Sequence, residues 1–303
     1  SRGVGGMAQR LQRLGSDFVV VLGDRIEALA GALAGVTTDR IVAHIHGGDV
    51  APGHLDEALR HAITKLAHVH LAATADAARR LRRLGERADH VHVVGAPGLD
   101  ELVDCPPPPA GWLAERFALA PQREAALVVQ HPIGRRAETE QRVMAQILKA
   151  VQARGLCGVL CYPNSDRGHT GIIRAIRQAV RGDRSGQWFA APSLPRAEFL
   201  RSLRSVRVLV GNSSAGIIEA HSAGTPAVNV GPRQDGRLRS GPAVIDCGEG
   251  VSAIKAAIGH ALSMGRLSRR RNVYGRGRAG AKIADLLARS SMSDNLRRKR
   301  ISY

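Results

Sequence analysis

Phe18-Val19-Val20-Val21-Leu22-Gly23-Asp24 is a short apolar run that ends in a glycine and an acidic residue. A second run, Ile41–Ile45, ends in the segment His46–Asp49, and a third occupies Val91–Gly95. Amphipathic stretches with helical periodicity lie between these runs, at Leu55–His68 and Thr74–Leu84. Such alternation is typical of βαβ units, which form parallel sheets with right-handed crossovers. The sequence therefore predicts an α/β fold.

The same alternation resumes after a proline-rich segment, Cys105–Gly111, in which four prolines are consecutive. Proline cannot continue a helix or a central strand, so this segment predicts a stiff linker between two domains. Five later apolar runs predict strands at Ala125–Gln130, Gly158–Tyr162, Val206–Val210, Ala227–Val230 and Ala243–Asp246. A helix is predicted to follow at Val251–Leu262.

These features predict two doubly wound, Rossmann-like domains that face each other across a cleft. The predicted ranges are a first domain at 1–104, the linker at 105–111, a second domain at 112–265, a helix returning to the first domain at 266–289 and a basic tail at 290–303. The first domain has only three predicted strands and the chain begins with Ser1, so we expect this domain to be incomplete.

The composition indicates a soluble protein with aliphatic cores. Apolar residues make up 44% of the chain but aromatic residues only 3%, which suits parallel sheets covered by helices. No apolar run approaches the roughly 18 residues that a transmembrane helix needs, and no signal peptide stands at the start. The four cysteines are too few for a disulfide framework, so we expect free thiols in a reducing cytoplasm.

The net charge of +18 is concentrated near the carboxyl terminus. Residues 266–303 hold twelve Lys or Arg and only two Asp. No aromatic residues alternate with these charges and no nucleic-acid-binding motif is recognisable, so nucleic acid is not an expected partner. We expect a solvated, partly disordered basic tail. The remaining positive charge suits an anionic small-molecule substrate.

Carboxylates gather near the first two predicted strand ends. Asp24 and Asp49 each follow a strand, and Asp56 begins a helix that continues to Arg60. Helix capping explains each acid singly, but three together at the ligand-binding edge of a sheet indicate a catalytic site. The neighbouring histidines do not have a spacing that favours a metal site, so neither a metal nor a cofactor is expected; they are His44, His46, His54, His61, His68 and His70.

The second half carries polar groups at its own strand ends. His131 and Asn164 each follow a predicted strand. The segment Gly211–Gly216 leads into a helix that holds Glu219, and such a helix start favours phosphate. A later turn, 231–237, supplies the guanidinium groups of Arg233 and Arg237, which strengthens the prediction of a phosphate site.

Several segments together carry a family resemblance. They are Asp24-Arg25-Ile26-Glu27, His44–Asp49, Asp56–His68 (which contains Arg-His-Ala-Ile-Thr-Lys), Gly95–Asp100, Asn212–Glu219 and Arg233–Arg237. In this order they resemble the hydrolysing UDP-N-acetylglucosamine 2-epimerases of bacterial sialic-acid pathways and the epimerase half of the animal bifunctional enzyme. The likeness extends to about Leu287. It implies a GT-B fold of two Rossmann-like domains, a homo-oligomer (dimer or tetramer), and release of N-acetylmannosamine and UDP.

The resemblance also implies roles for individual residues. Asp24, Asp49 and Asp56 match the three catalytic carboxylates of the family, and His131 matches its catalytic histidine. Asn164 resembles the residue that contacts the sugar. Other positions resemble contacts to UDP: Arg25, Ser213, Ser214, Gly216, Glu219 (at the ribose) and Arg233. Arg60 and Arg237 are added as substrate-binding residues on charge and position alone.

This chain departs from the family pattern at three points. Asp49 stands where the family has Glu, and Pro232 stands where an Asp is usual. The likeness begins inside the usual first domain, without the first strand and its Gly-x-Arg-Ala-Glu phosphate loop. Three alternatives therefore remain open: a non-hydrolysing epimerase that returns UDP-N-acetylmannosamine, a glycosyltransferase of the same fold, and a UDP-sugar-binding remnant without catalysis.

Overall fold

The computed structural model describes residues 2–50, 55–267, 272–290 and 293–302. It divides into two compact units. Unit 1 comprises residues 1–100 and 274–303, and unit 2 comprises residues 101–273. The boundary between the two units, at Glu101, lies before the proline-rich segment 105–111 that was predicted to be the linker.

Unit 1 contains a parallel sheet of four strands in the order β1-β2-β3-β4. The strands are β1 (Phe18–Leu22), β2 (Ile41–Ile45), β3 (Val69–Ala72) and β4 (Val91–Val93). The helices before and between them are α1 (Arg2–Leu14), α2 (Ile26–Thr37), α3 (Leu55–Leu66) and α4 (Ala75–Arg83). Strand β3 was not predicted, because His70 interrupts its apolar residues and His68 directly precedes them. The sheet nevertheless buries both histidines.

Unit 2 contains a parallel sheet of six strands in the order β10-β9-β8-β5-β6-β7. The strands are β5 (Ala125–Val129), β6 (Cys157–Cys161), β7 (Trp188–Ala191), β8 (Val208–Gly211), β9 (Ala227–Val230) and β10 (Val244–Cys247). The five predicted strands are confirmed to within two residues at each end, and only the half-buried edge strand β7 was missed. The helices are α5 (Asp100–Asp104), α6 (Trp112–Phe117), α7 (Ala137–Gln152), α8 (His169–Arg181), α9 (Arg196–Ser205), α10 (Ser214–Ile218), α11 (Ala220–Ala223) and α12 (Val251–Ser263).

The strand order of unit 2 creates a topological switch point between β5 and β8. From β5 the chain builds outward through β6 and β7, then returns to β8 on the other side of β5 and continues through β9 and β10. In doubly wound folds, ligands bind at the carboxyl ends of the strands where the direction of winding changes. The residues that follow β5 and β8 therefore occupy the favoured position for a ligand site.

The chain returns to unit 1 through α13 (Ala279–Arg289) and α14 (Asp294–Arg297). Ile283 of α13 packs into the core formed by β2, β3 and neighbouring residues. The carboxylate of Asp100 accepts hydrogen bonds from the main-chain N–H groups of Ala279 (2.9 Å) and Gly280 (2.6 Å). This carboxylate satisfies two N–H groups that a helix start leaves without intrahelical partners.

The expectation of a partly disordered tail is wrong for the described residues 293–302, although most of these residues are exposed to solvent as expected. Ile301 forms an antiparallel bridge with Glu86, and Ser302 N–H donates to Gly85 O at 2.8 Å. Lys299 donates to the Glu86 carboxylate at 2.5 Å. The buried Glu86 attracts Lys299 from 213 residues away in sequence, so no local pattern predicts the contact. Residues 291, 292 and 303 of the predicted tail lie outside the described residues.

Candidate functional site

Two neighbouring turns carry the predicted carboxylates Asp24 and Asp49 of unit 1. Leu22 of β1 lies opposite Ile45 of β2 in the parallel ladder, so the turns that follow these strands emerge side by side. Gly23 adopts the left-handed conformation with φ +75°, which glycine tolerates without strain, and directs the chain into Asp24. The structure thus brings the two predicted strand-end acids to one edge of the sheet.

Arg60 of α3 connects these turns. Its side chain is only 1% exposed. The guanidinium donates to the carboxylates of Asp24 and Glu57, and to the main-chain oxygen of Asp49 at 3.1 Å. A planar guanidinium has donors in several fixed directions, which suits it to hold several oxygens at once. Arg60 therefore acts on the carboxylates around it, while its predicted contact with substrate remains a prediction.

Two histidines stabilise the same turns. His46 Nδ1 lies 2.9 Å from Asp49 Oδ2, and His44 Nε2 lies 2.7 Å from Gly23 O. Burial lowers the pKa of His44 to about 4, so its ring is neutral at pH 7 and Nε2–H donates to the Gly23 carbonyl. Asp56 lies in the first turn of α3 and is half-buried. His54 lies outside the described residues.

His131 follows β5 in unit 2 and is fixed through both its main chain and its ring. Asn212, which follows β8, accepts from His131 N–H at 2.7 Å and donates to His131 O at 2.8 Å. The ring Nδ1 accepts from Asn164 N–H at 3.1 Å. In the neutral ring the proton therefore lies on Nε2. The side-chain amide of Asn164 donates to Asp166 Oδ2 at 2.5 Å.

The segment after Asn212 begins α10. Ser213 caps this helix, because its hydroxyl accepts from Ala215 N–H at 3.3 Å, and Ser214 is the first helical residue. Gly216 is buried, and a Cβ there would lie 3.1 Å from Leu209 Cδ2, so its lack of a side chain serves helix–sheet packing. The predicted role of Gly216 in binding substrate remains a prediction beside this structural one.

The turn from Gly231 to Arg237 lies against Asn212. Gln234 Nε2 donates to Asn212 O at 2.7 Å, and Arg233 donates to the same oxygen at 3.3 Å. Arg237 donates to Gln234 Oε1 at 3.2 Å. Two of the predicted substrate-binding cations thus lie beside the residue that holds His131.

Glu219 is buried at the end of α10. Burial raises the pKa of its carboxyl, and the guanidinium of Arg196 opposes this effect, donating to Oε1 at 2.5 Å. Arg196 also donates to Glu101 at 3.1 Å. The sequence analysis missed Arg196, because α9 lies outside every motif segment. The predicted ribose contact of Glu219 remains a prediction, as does a UDP contact of Arg25, which precedes α2 as its N-cap.

A second ionic network supports the loop after His131. Arg135 donates to both carboxylate oxygens of Glu249 at 2.8 Å and to Glu140 at 3.2 and 3.3 Å. The fully buried Glu140 also accepts from Ile133 N–H at 3.0 Å. This network was not predicted, since Glu249 lies 114 residues after Arg135 in the sequence. Glu57, also missed, had a local signal in its i,i+3 spacing to Arg60.

The described part of the chain contains no group of three or more His, Cys, Asp or Glu residues arranged to hold a metal ion. Among the same residues, none of the helices has the length and hydropathy required to span a membrane.

The family model for UDP-N-acetylglucosamine 2-epimerases matches residues 1–288. The chain belongs to this family. It is 36% identical over 250 residues to the UDP-N-acetylglucosamine 2-epimerase of Neisseria meningitidis serogroup B, a match that covers 82% of this chain and 64% of the relative. It is 35% identical over 271 residues to the hydrolysing UDP-N,N'-diacetylbacillosamine 2-epimerase of Legionella pneumophila, covering 89% of this chain and 70% of the relative.

The fold of the chain also matches solved structures. The crystal structure of UDP-GlcNAc 2-epimerase from Neisseria meningitidis bound to UDP-GlcNAc superposes with a TM-score of 0.76 at 18% identity. This superposition covers 95% of this chain and 80% of the solved chain. It confirms the predicted α/β, Rossmann-like class. The chain spans less than two thirds of the length of its Neisseria relative.

Proposed function

We propose that the chain is a hydrolysing UDP-N-acetylglucosamine 2-epimerase, which releases N-acetylmannosamine and UDP for synthesis of sialic-acid-type sugars. The observation that carries the proposal is the buried Arg60, which joins the Asp24 carboxylate to the Asp49 turn. Carboxylates fixed at a strand edge provide proton acceptors and donors for the reaction. Family membership supplies the substrate class, and the UDP-GlcNAc named for the solved Neisseria structure supports it.

The proposed reaction has two steps. A base first removes the C2 proton of the sugar while the C1–O bond to UDP breaks, which leaves a glycal and free UDP. Water then adds its hydroxyl to C1 and a proton to the opposite face of C2, which gives N-acetylmannosamine. We assign the protons at C2 to Asp24 and Asp56 and the anomeric side to Asp49. His131 stabilises the departing diphosphate through its Nε2–H.

Two features favour hydrolysis over return of a UDP-sugar. The His44–Asp49 and Arg60–Lys65 segments resemble the hydrolysing branch of the family. The Legionella relative is also named as a hydrolysing enzyme. Its substrate name favours a second candidate for the sugar, a UDP-linked 2,4-diacetamido-6-deoxy sugar, which requires the same UDP contacts. We further propose a cytoplasmic homo-oligomer, a dimer or tetramer.

Product analysis in D₂O tests this function. The full chain is incubated with UDP-N-acetylglucosamine and, in parallel, with UDP-N,N'-diacetylbacillosamine. NMR should detect free N-acetylmannosamine with deuterium at C2, together with UDP. The variants Asp24→Asn and Asp56→Asn should lower kcat by about 10²- to 10⁴-fold, because each loses a proton-transfer group. UDP-N-acetylmannosamine as the product would identify a non-hydrolysing enzyme. Binding of UDP without turnover of either substrate would contradict catalysis.

A further inference from the structure

Asn212 lies within the segment Asn212–Glu219, but the sequence alone assigned it no role in the chemistry. It directly follows β8, and His131 comes two residues after the end of β5, the neighbouring parallel strand. Val129 lies opposite Gly211 in the ladder, and Asn212 N–H donates to Val129 O at 3.2 Å. Asn212 therefore lies at the switch point of the sheet, beside the proposed catalytic histidine.

Beyond the ends of β5 and β8, the side chain of Asn212 forms the hydrogen bonds that connect the two segments. It is 1% exposed, and its amide forms two hydrogen bonds with the main chain of His131, one as acceptor at 2.7 Å and one as donor at 2.8 Å. This pairing requires a donor and an acceptor on one short side chain. Aspartate lacks the donor and would place an anion against the His131 carbonyl, and alanine would remove the partners of both the N–H and the C=O of His131.

The same residue contacts the proposed UDP-binding turn through its own main chain. Asn212 O accepts from Gln234 Nε2 at 2.7 Å and from Arg233 at 3.3 Å. One residue thus holds His131 with its side chain and the Arg233 turn with its carbonyl. The two connections use different atoms, so a side-chain substitution separates them.

The ring of His131 depends on the placement of its backbone. Nδ1 accepts from Asn164 N–H at 3.1 Å, a bond that exists only while the main chain at 131 stays beside the loop at 164. Protonation of Nδ1 would set one N–H against another. The arrangement therefore selects the ring tautomer with hydrogen on Nε2.

We propose that Asn212 is a positioning residue, which fixes His131 in the Nε2–H tautomer and joins it to the Arg233 turn. This role rests on the proposed function of His131. Small displacements of a reacting group are costly, since about 1 Å of misplacement lowers a rate by about 100-fold.

The test compares Asn212→Asp and Asn212→Ala with a matched control, Asn229→Ala. Asn229 is also a buried asparagine (3% exposed), on the next strand. Its amide donates to Asp246 Oδ1 at 2.7 Å, and within the described part of the chain it forms no hydrogen bond with His131. Both Asn212 variants should lower kcat by about 10- to 100-fold. The Kd for UDP should change by less than about threefold, because the main-chain carbonyl of residue 212 is retained. The control should lower the melting temperature without this loss of kcat.

A second measurement does not depend on turnover. Two-bond ¹H–¹⁵N spectra of histidine-labelled protein distinguish the protonated ring nitrogen from the unprotonated one, and His131→Gln assigns the signal. Wild type should give the Nε2–H pattern for His131, and the Asn212 variants should lose it. If wild type turns nothing over but this pattern behaves as stated, the proposed function fails and the positioning role stands. An unchanged pattern or an unchanged kcat in an active enzyme would overturn the positioning role.

Discussion

The side chain of Arg60 is buried and its guanidinium is surrounded by hydrogen-bond acceptors from other turns of unit 1. Its charge is almost fully removed from solvent, which is costly unless several oxygens surround it. The carboxylates of Asp24 and Glu57 and the Asp49 carbonyl supply those oxygens. The loss of the guanidinium should therefore affect both the stability of unit 1 and the orientation of the catalytic carboxylate.

We expect Arg60→Met to lower the free energy of unfolding by about 2 kcal/mol, less than for a fully buried pair because Asp24 and Glu57 retain contact with water. The same variant should lower kcat by about 100-fold, since Asp24 loses its fixed orientation. Urea denaturation and steady-state kinetics measure the two effects. Arg79→Met is the control, because Arg79 is 61% exposed and its ion pair with Asp76 should contribute less than about 0.5 kcal/mol. Equal urea shifts for the two variants would contradict the assigned role of Arg60.

At the scale of elements, the carboxyl-terminal segment 293–302 forms part of unit 1. Lys299 Nζ donates to Glu86 Oε2 at 2.5 Å and to the main-chain oxygens of Thr64 (3.1 Å) and Ala67 (2.5 Å). The Glu86 carboxylate, 2% exposed, also accepts from Lys65 and His70, each at 2.8 Å. Burial by itself raises the pKa of Glu86, but the three hydrogen-bonded partners outweigh it and lower the pKa to about 2.

Removal of the Lys299 charge should weaken this segment. Because the pKa of Glu86 is lower in the folded state, its contribution is complete above the ordinary value of about 4.5 and is lost as the pH falls toward 2. Lys299→Met should therefore destabilise the protein by about 2 kcal/mol at pH 7, and by less at pH 4. Urea unfolding at the two pH values measures the difference. Arg300→Met, at an exposed position of the same segment, should have little effect. If Lys299→Met destabilised the protein equally at pH 7 and pH 4, Glu86 would be excluded as the main stabilising partner of Lys299.

The same region explains where sequence reasoning fails. Apolar runs such as Ile41–Ile45 predict strands because burial on a parallel sheet requires continuous apolar residues, and the structure confirms this strand as fully buried. Strand β3 lacks such a run, because His70 lies within it. The hydrogen bond to Glu86, which lies 16 residues later, offsets the cost of burying the polar His70 ring. Lys299 is even more distant, and a local pattern contains no information on either partner.

The residues of the candidate site also fall into those that a local pattern predicts and those that it does not. Asp24, Asp49 and His131 were predicted as site residues because they follow predictable strand ends, where ligand sites concentrate. Arg196 and the Arg135 network were not found, because their contacts join segments far apart in the chain. Strand ends are a local property of the sequence, whereas the partners that orient a side chain depend on packing of the whole unit.

At the scale of the whole molecule, most of the histidines lie in unit 1. Eight of the twelve histidines lie in residues 1–100. Burial lowers the pKa of five of them: His44, His68, His70, His90 and His92. A histidine whose pKa is lower in the folded state stabilises the fold above its unfolded value of about 6.5 and loses this contribution as the pH falls. For His44 the loss extends down to about pH 4.

We therefore expect unit 1 to unfold at a higher pH than unit 2 when the protein is acidified from pH 7 to 4. Both tryptophans, Trp112 and Trp188, lie in unit 2, so their fluorescence reports on that unit alone, whereas far-UV circular dichroism reports on both units. Part of the dichroism signal should be lost before the fluorescence changes. His44→Gln, which retains a donor for Gly23 O, should shift this first transition to lower pH. Dichroism and fluorescence that change together at one pH would mean that the two units respond to acid as a single cooperative structure.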